Sequence, residues 1–270
     1  MSSAPPDSSP GQPGTDSRTT LPANSISDRL PSRDGYAGVS RSAVRWIEIA
    51  GGILTAIAVS VFGVIMVGFL EPGIAEGDDP SDGAQLGIQA FLEIGFIVAA
   101  LGASAIANRH GIADALRRLG LRWPPARIFS TVVLAIAAYF LVAIAITMLL
   151  SPEQDDIAES LGADDDAGIL ITVLAGLLIV PVASVAEELF FRGLVFGGMR
   201  QTLGLWPAAL ASGAVFGSLH LTAGDVGVAL QLSLFGAILA WSYERSGTLW
   251  TPIALHAANN AIAFSILIST

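Results

Sequence analysis

The apolar run from Gly168 to Phe196 is long enough to cross a bilayer, and it carries two adjacent glutamates, Glu187 and Glu188. A run of that length with so few charges reads as a transmembrane helix. Inside a bilayer only helices and closed barrels satisfy every backbone polar group. Carboxylates at that depth are costly and call for pairing, a wet cavity or a function. The rest of the chain agrees: 53% of residues are hydrophobic and 13% charged, against about 25% charged in soluble domains. The fold class is therefore all-α, a polytopic helical membrane protein.

Seven apolar stretches are expected to be helices, over about 46–70, 86–107, 129–150, 168–196, 207–222, 226–243 and 249–268. Residues 1–44 are rich in Ser, Pro, Gly and Asp and poor in large apolar residues, so they are expected to be a disordered tail. No apolar segment near the N-terminus reads as a secretory signal. Residues 45–167 form an N-terminal set of helices and loops, and 168–270 a C-terminal helical core. There is no Cys, which removes disulfides and thiolate ligands, and all 13 basic residues are Arg. The arginine-only set reads as a genomic bias and suggests a bacterium. A net charge of −10 gives no footing for nucleic acid.

Arginine placement sets the expected orientation. Arg41 and Arg45 precede the first span, and Arg109, Arg117, Arg118, Arg122 and Arg127 fill the second linker. The 71–85 loop has Glu71, Glu76, Asp78, Asp79 and Asp82 with no Arg, and the 151–167 loop has seven acids with no Arg. Alternation then puts the N-terminus in the cytoplasm, consistent with a bacterial plasma membrane.

Two later apolar segments carry one histidine each, His220 and His256, while the third, His110, falls in a linker. Glu187 lies 13 residues before Arg200 and His220 lies 13 after Pro207, so each is roughly 20 Å into its helix. His256 and Asn260 lie 7 and 11 residues after Leu249, roughly 11 and 17 Å in. All four fall near one layer. Glu188 and Arg192 are spaced i, i+4 and can pair. Glu187, about 100° around the helix from Glu188, has no local cation and is the candidate general base. Phe216 reads as packing, Asp225 as a solvated junction residue, and Asn260 serves either chemistry or interhelical hydrogen bonding.

Glu187-Glu188-x-x-x-Arg192, Phe216-x-x-x-His220 and His256-x-x-x-Asn260, in that order on three apolar helices, resemble the motifs of the CPBP family. These are the CAAX-protease and bacteriocin-processing (Abi) intramembrane proteases, which include the type II CAAX prenyl endopeptidases. The resemblance covers roughly 170–268, and the linker Leu119-Gly-Leu-Arg122 looks like the segment that often precedes the family core. It implies that Glu187 activates a water with help from His220. It further implies that His256 and Asn260 stabilise the oxyanion, and that Glu188 and Arg192 hold the first motif in place. The implied partners are the lipid bilayer and a membrane-associated peptide or protein, CAAX-type in the eukaryotic relatives.

Glu187, His220 and His256 could also hold Zn²⁺, which would lower the pKa of a bound water. The family is labelled metalloprotease, and a metal-free glutamate mechanism is argued for it too. The H-E-x-x-H pattern is absent. Other intramembrane hydrolases fit less well: Leu210-Ala-Ser212-Gly213 lacks the first Gly of a rhomboid-like serine motif, and Thr222-Ala-Gly224-Asp225 lacks a Gly of the aspartyl type. The competing class is a non-catalytic membrane scaffold or a bacteriocin-immunity-type binding protein. A transporter would show an internal repeat and broken helices; no repeat is evident, although Pro181 interrupts one helix.

Overall fold

The computed structural model describes residues 41–106, 111–123, 128–150, 168–221 and 226–269. Of the tail expected over 1–44, residues 1–40 lie outside the described residues, as do His110, Asp225 and the acidic 151–167 loop, whereas 41–44 already belong to a helix. Helices are α1 (Arg41–Leu70), α2 (Gly73–Glu76), α3 (Asp82–Ile106), α4 (Ile112–Leu119) and α5 (Ile128–Leu150). They continue with α6 (Ile169–Met199), α7 (Leu205–Ser218), α8 (Val226–Ser246) and α9 (Trp250–Leu267). The described residues contain no strand.

All seven expected apolar helices are present. Five are long and apolar enough to cross a membrane alone: Trp46–Leu70, Asp82–Ile106, Ser130–Leu149, Ile169–Met199 and Val226–Ser246. The other two are shorter or more polar, α7 with 14 residues and α9 with His256, Asn259 and Asn260 in its 18. Large apolar side chains such as Leu54, Phe62, Leu141 and Met148 stay exposed on α1 and α5, as suits lipid-facing surfaces. The protein is an integral membrane protein.

Two short helices were not expected. α2 follows α1 directly. α4 arises inside the arginine-rich linker, where Ala115 and Leu119 form a buried face. It ends at Gly120, whose φ of 106° is left-handed. The Gly120 and Leu121 amides return to the Arg117 and Leu116 carbonyls, the pairing of a glycine-terminated helix. The linker then docks on the core. The Tyr243 hydroxyl donates to the Leu119 carbonyl at 2.8 Å, Leu249 N–H to Gly120 at 2.9 Å, and Thr248 Oγ1 to Arg122 at 2.5 Å. Arg118 pairs with Glu48 of α1 at 3.1 Å.

At its start α3 is capped by Ser81, whose hydroxyl accepts from the Ala84 N–H at 3.2 Å. It then lays Phe96 on Phe190 and Phe191 of α6, with ring centroids 4.9 and 5.3 Å apart. α7 and α8 approach closely because Gly213 faces the backbone at Ser233 and Gly236, where a Cβ would collide. That agrees with small residues serving helix packing.

α6 is not a uniform α-helix. It is α-helical over Ile169–Leu177, widens over Leu178–Ala183, tightens over Ser184–Glu187 and widens again over Glu188–Phe196. Pro181 accounts for the first wide segment, since it has no N–H to give and its ring clashes with the preceding turn. Such i→i+5 turns are rare and are frequently found at functional sites. The second has no proline, and the sequence shows no cause for it.

Candidate active site

Glu188 and Arg192 lie within the second wide segment of α6, both fully buried at 0% exposure. Arg192 Nη1 meets Glu188 Oε1 at 2.8 Å, and Nη2 donates to the Gly236 carbonyl of α8 at 3.2 Å. The guanidinium also sits 4.7 Å from the Phe216 ring centroid, within cation–π range. The expected ion pair is therefore real, and it has a third member. His256 Nδ1 lies 2.9 Å from the same Glu188 oxygen. A carboxylate oxygen accepts, so Nδ1–H donates. One carboxylate thus ties α6 to α9 and, through Arg192, to α8.

This bond fixes where the other imidazole nitrogen points. His256 Nε2 lies 3.8 Å from Glu187 Oε2. That oxygen is buried and accepts no hydrogen bond from the described residues. Adjacent glutamates thus face the two nitrogens of one ring, Glu188 locking it and Glu187 left open. Phe235 stands edge-on to His256 at 5.8 Å and stacks on Tyr139 of α5 at 4.4 Å.

His220 departs from the expected helix. α7 ends at Ser218, and Leu219, His220 and Leu221 donate to Phe216, Gly217 and Ser218 in tighter i→i−3 turns. Terminal carbonyls need donors, and His220 Nδ1 lies 3.1 Å from the Phe216 carbonyl. With Nδ1–H donating there, Nε2 of a neutral ring is an acceptor. The Phe216 ring touches both histidines, 5.2 Å from the His220 ring and 5.7 Å from His256. Its packing role holds.

Asn260, one turn beyond His256 on α9, donates Nδ2–H to the Ile179 carbonyl at 3.0 Å. Ile179 belongs to the first wide segment, where Pro181 has loosened the backbone ladder. The interhelical role considered for this residue is thus present, and the second amide hydrogen remains to donate elsewhere. Asn259 Nδ2 lies 3.4 Å from Asn260 Oδ1. The structure therefore brings Glu187, Glu188, Arg192 and His256 into one cluster. His220 meets the Phe216 ring that also meets His256, and Asn260 ties the last helix to Ile179.

Glu93 of α3 escaped the motif reading. It is 1% exposed, accepts from Gln89 Nε2 at 2.5 Å, and lies within electrostatic reach of Glu187. An acid inside a spanning helix was itself a usable signal.

A catalytic zinc needs three protein ligands around one point at about 2 Å. Glu187 and His256 approach each other at 3.8 Å. Among the described residues no three His, Asp or Glu side chains are grouped to hold a metal ion.

Residues 169–262 match the family model described as "Type II CAAX prenyl endopeptidase Rce1-like". Two Bacillus subtilis (strain 168) proteins are similar. "Uncharacterized protein YyaK" is 31% identical over 133 residues, 46% of this chain and 43% of its own. "Putative membrane peptidase YdiL" is 28% identical over 102 residues, 36% of this chain and 41% of its own. The chain therefore spans less than half the length of these relatives. No solved structure matches. The resemblance expected from the three motifs is borne out over the C-terminal core.

Proposed function

From the similarity of residues 169–262 to type II CAAX prenyl endopeptidases, we propose that this protein is an intramembrane endopeptidase. It cleaves peptide bonds of membrane-associated substrates with a water activated by Glu187. The observation that carries the reading is the unpartnered Glu187 Oε2 facing His256 Nε2, beside a neighbour locked in an ion cluster.

In this mechanism the Glu187 carboxylate takes a proton from water, helped by the acceptor Nε2 of His220. The hydroxide oxygen bonds to the scissile carbonyl carbon. The C=O electron pair moves onto oxygen, which His256 stabilises while its Nδ1–H stays on Glu188. Asn260 offers its second amide hydrogen to the same oxyanion. Collapse breaks the C–N bond, and the proton on Glu187 passes to the leaving amine. Glu188 and Arg192 do not touch the substrate; they hold His256 in register. A prenylated CAAX peptide is the first substrate to test, given the printed description of the matching family. The membrane is a bacterial plasma membrane with the N-terminus cytoplasmic, in keeping with the arginine distribution.

The alternative, a non-catalytic scaffold or immunity-type protein, would need the Glu188–Arg192–His256 cluster but not an open carboxylate beside it. The test is cleavage of a fluorescence-quenched prenyl peptide, and of unprenylated membrane peptides, by purified protein in liposomes. Turnover of one of them, retained in chelator without bound metal and lost in Glu187→Gln, is the expected result. No cleavage of any peptide, or equal cleavage by Glu187→Gln, overturns the reading.

A further inference from the structure

A peptidase whose base lies in the middle of a membrane helix needs a supply of water. Gln85, Gln89 and Glu93 are spaced i, i+4, i+8 on α3, which puts them in one row along its length. The row spans eight residues, about 12 Å. At its outer end Gln85 Nε2 donates to the Pro80 carbonyl at 3.2 Å, and at its inner end Gln89 donates to Glu93.

The inner end meets the site. Phe96 stacks on Phe190 and Phe191, and Gly52 of α1 lies against both Ala99 and Leu194. Both contacts pair a residue of α3 with one about 95 positions later on α6, so the helices run parallel in a constant register. That register sets Glu93 level with Glu187 and Glu188, and Glu93 is within electrostatic reach of Glu187.

Five buried oxygens on or beside this row accept no hydrogen bond from the described residues: Gln85 Oε1, Glu93 Oε2, Ser184 Oγ, Glu187 Oε2 and Glu188 Oε2. Buried polar groups are nearly always satisfied by protein or by ordered water. Internal waters typically bond about three such groups. Glu93 has no ion pair among the described residues, and its polar partner there is Gln89.

We propose that the Gln85–Gln89–Glu93 face of α3 is a hydrated polar track that delivers water to Glu187, with Glu93 as a positioning residue at its inner end. The proposal rests on the peptidase reading, which gives Glu187 its need for water. The track itself is a property of the fold and is measured without catalysis.

Because the native chain has no Cys, single cysteines at Gln85, Gln89, Glu93 and Ser184 report hydration directly. A small, charged methanethiosulfonate reagent reacts with thiolate, which forms only in water. Reaction is expected at all four positions in protein reconstituted in liposomes and opened to reagent on both sides. It is expected to be at least ~10-fold slower at buried apolar Ala100 and at lipid-facing Ile94 and Val98, as controls. Gel-filtration profiles identify any variant that has not folded, and the remaining positions then carry the comparison. Reactivity at Gln89→Cys and Ser184→Cys no greater than at Ala100→Cys overturns the track.

Its role is read from kinetics. Glu93→Leu and Gln89→Leu should lower kcat at least ~10-fold with KM nearly unchanged, and Glu93→Gln should recover much of the loss. An unchanged kcat in Glu93→Leu overturns delivery. If Glu187→Gln proves fully active while the cysteines react, the peptidase mechanism fails and the hydrated track stands.

Discussion

Glu187 and Glu188 are neighbours in the chain and opposites in surroundings. Glu188 Oε1 is shared between an arginine and a histidine from another helix, and α6, α8 and α9 meet around it. Glu187 has no such pair, only an imidazole nitrogen at 3.8 Å, although the Oε2 of each glutamate is buried with no partner among the described residues. The change from α-helical to wide turn falls between them, so they leave the backbone in different local geometries. A membrane interior makes a lone carboxylate costly. The locked residue offsets that cost by pairing and the open one does not, which is why the open one is assigned the chemistry.

The largest effect that separates the two halves is on folding. Arg192→Leu leaves Glu188 buried and uncompensated, and breaking such a pair costs about 3–5 kcal/mol. The double variant Arg192→Leu with Glu188→Gln should be more stable than Arg192→Leu alone, as read from thermal unfolding in detergent. Strictly additive losses would break the comparison at its locked side. On the open side, His220→Ala should lower kcat by roughly 10²–10⁴-fold, the range of a lost acid–base group, with little change in unfolding midpoint. A fall in stability without a fall in kcat would move His220 to the locked side.

Asn260 sharpens the boundary. As an oxyanion donor its loss in Asn260→Ala costs about 10²–10³-fold in kcat. As a tie to the Ile179 carbonyl alone it costs roughly 1 kcal/mol of stability. Both losses together are expected, because one amide hydrogen is committed to Ile179 and one is not. The smallest effect concerns the docked linker, far from the carboxylates. Tyr243→Phe removes one hydrogen bond to Leu119 and should cost about 1 kcal/mol with kcat unchanged.

The apolar helices were legible because a bilayer demands long runs of one chemical character, and all seven appeared close to their expected bounds. The ion pair was legible because i, i+4 spacing is local. The sharing of Glu188 with His256 was not, since the two are 68 positions apart and no spacing rule spans that distance. Helix periodicity assumes a regular turn, so it missed the wide segments of α6 and ran α7 past Ser218 to include His220. α4 was hidden because it is eight residues long and charged, and it is held by Gly120 and by docking onto Tyr243. Glu93 was legible in principle, as an acid inside a span. It has no histidine or arginine at helical spacing, so a search for paired groups passed over it.

The central claim is the division of labour between the adjacent glutamates, and a paired measurement on Glu187→Gln and Glu188→Gln tests it most directly. Turnover of a cleavable peptide and the thermal unfolding midpoint are recorded for each in the same liposome or detergent preparation. Glu187→Gln should lose roughly 10²–10⁴-fold in kcat with the midpoint of the unaltered protein, whereas Glu188→Gln should lower the midpoint by several degrees. Unaltered turnover in Glu187→Gln, or a midpoint that falls as far in Glu187→Gln as in Glu188→Gln, would contradict it.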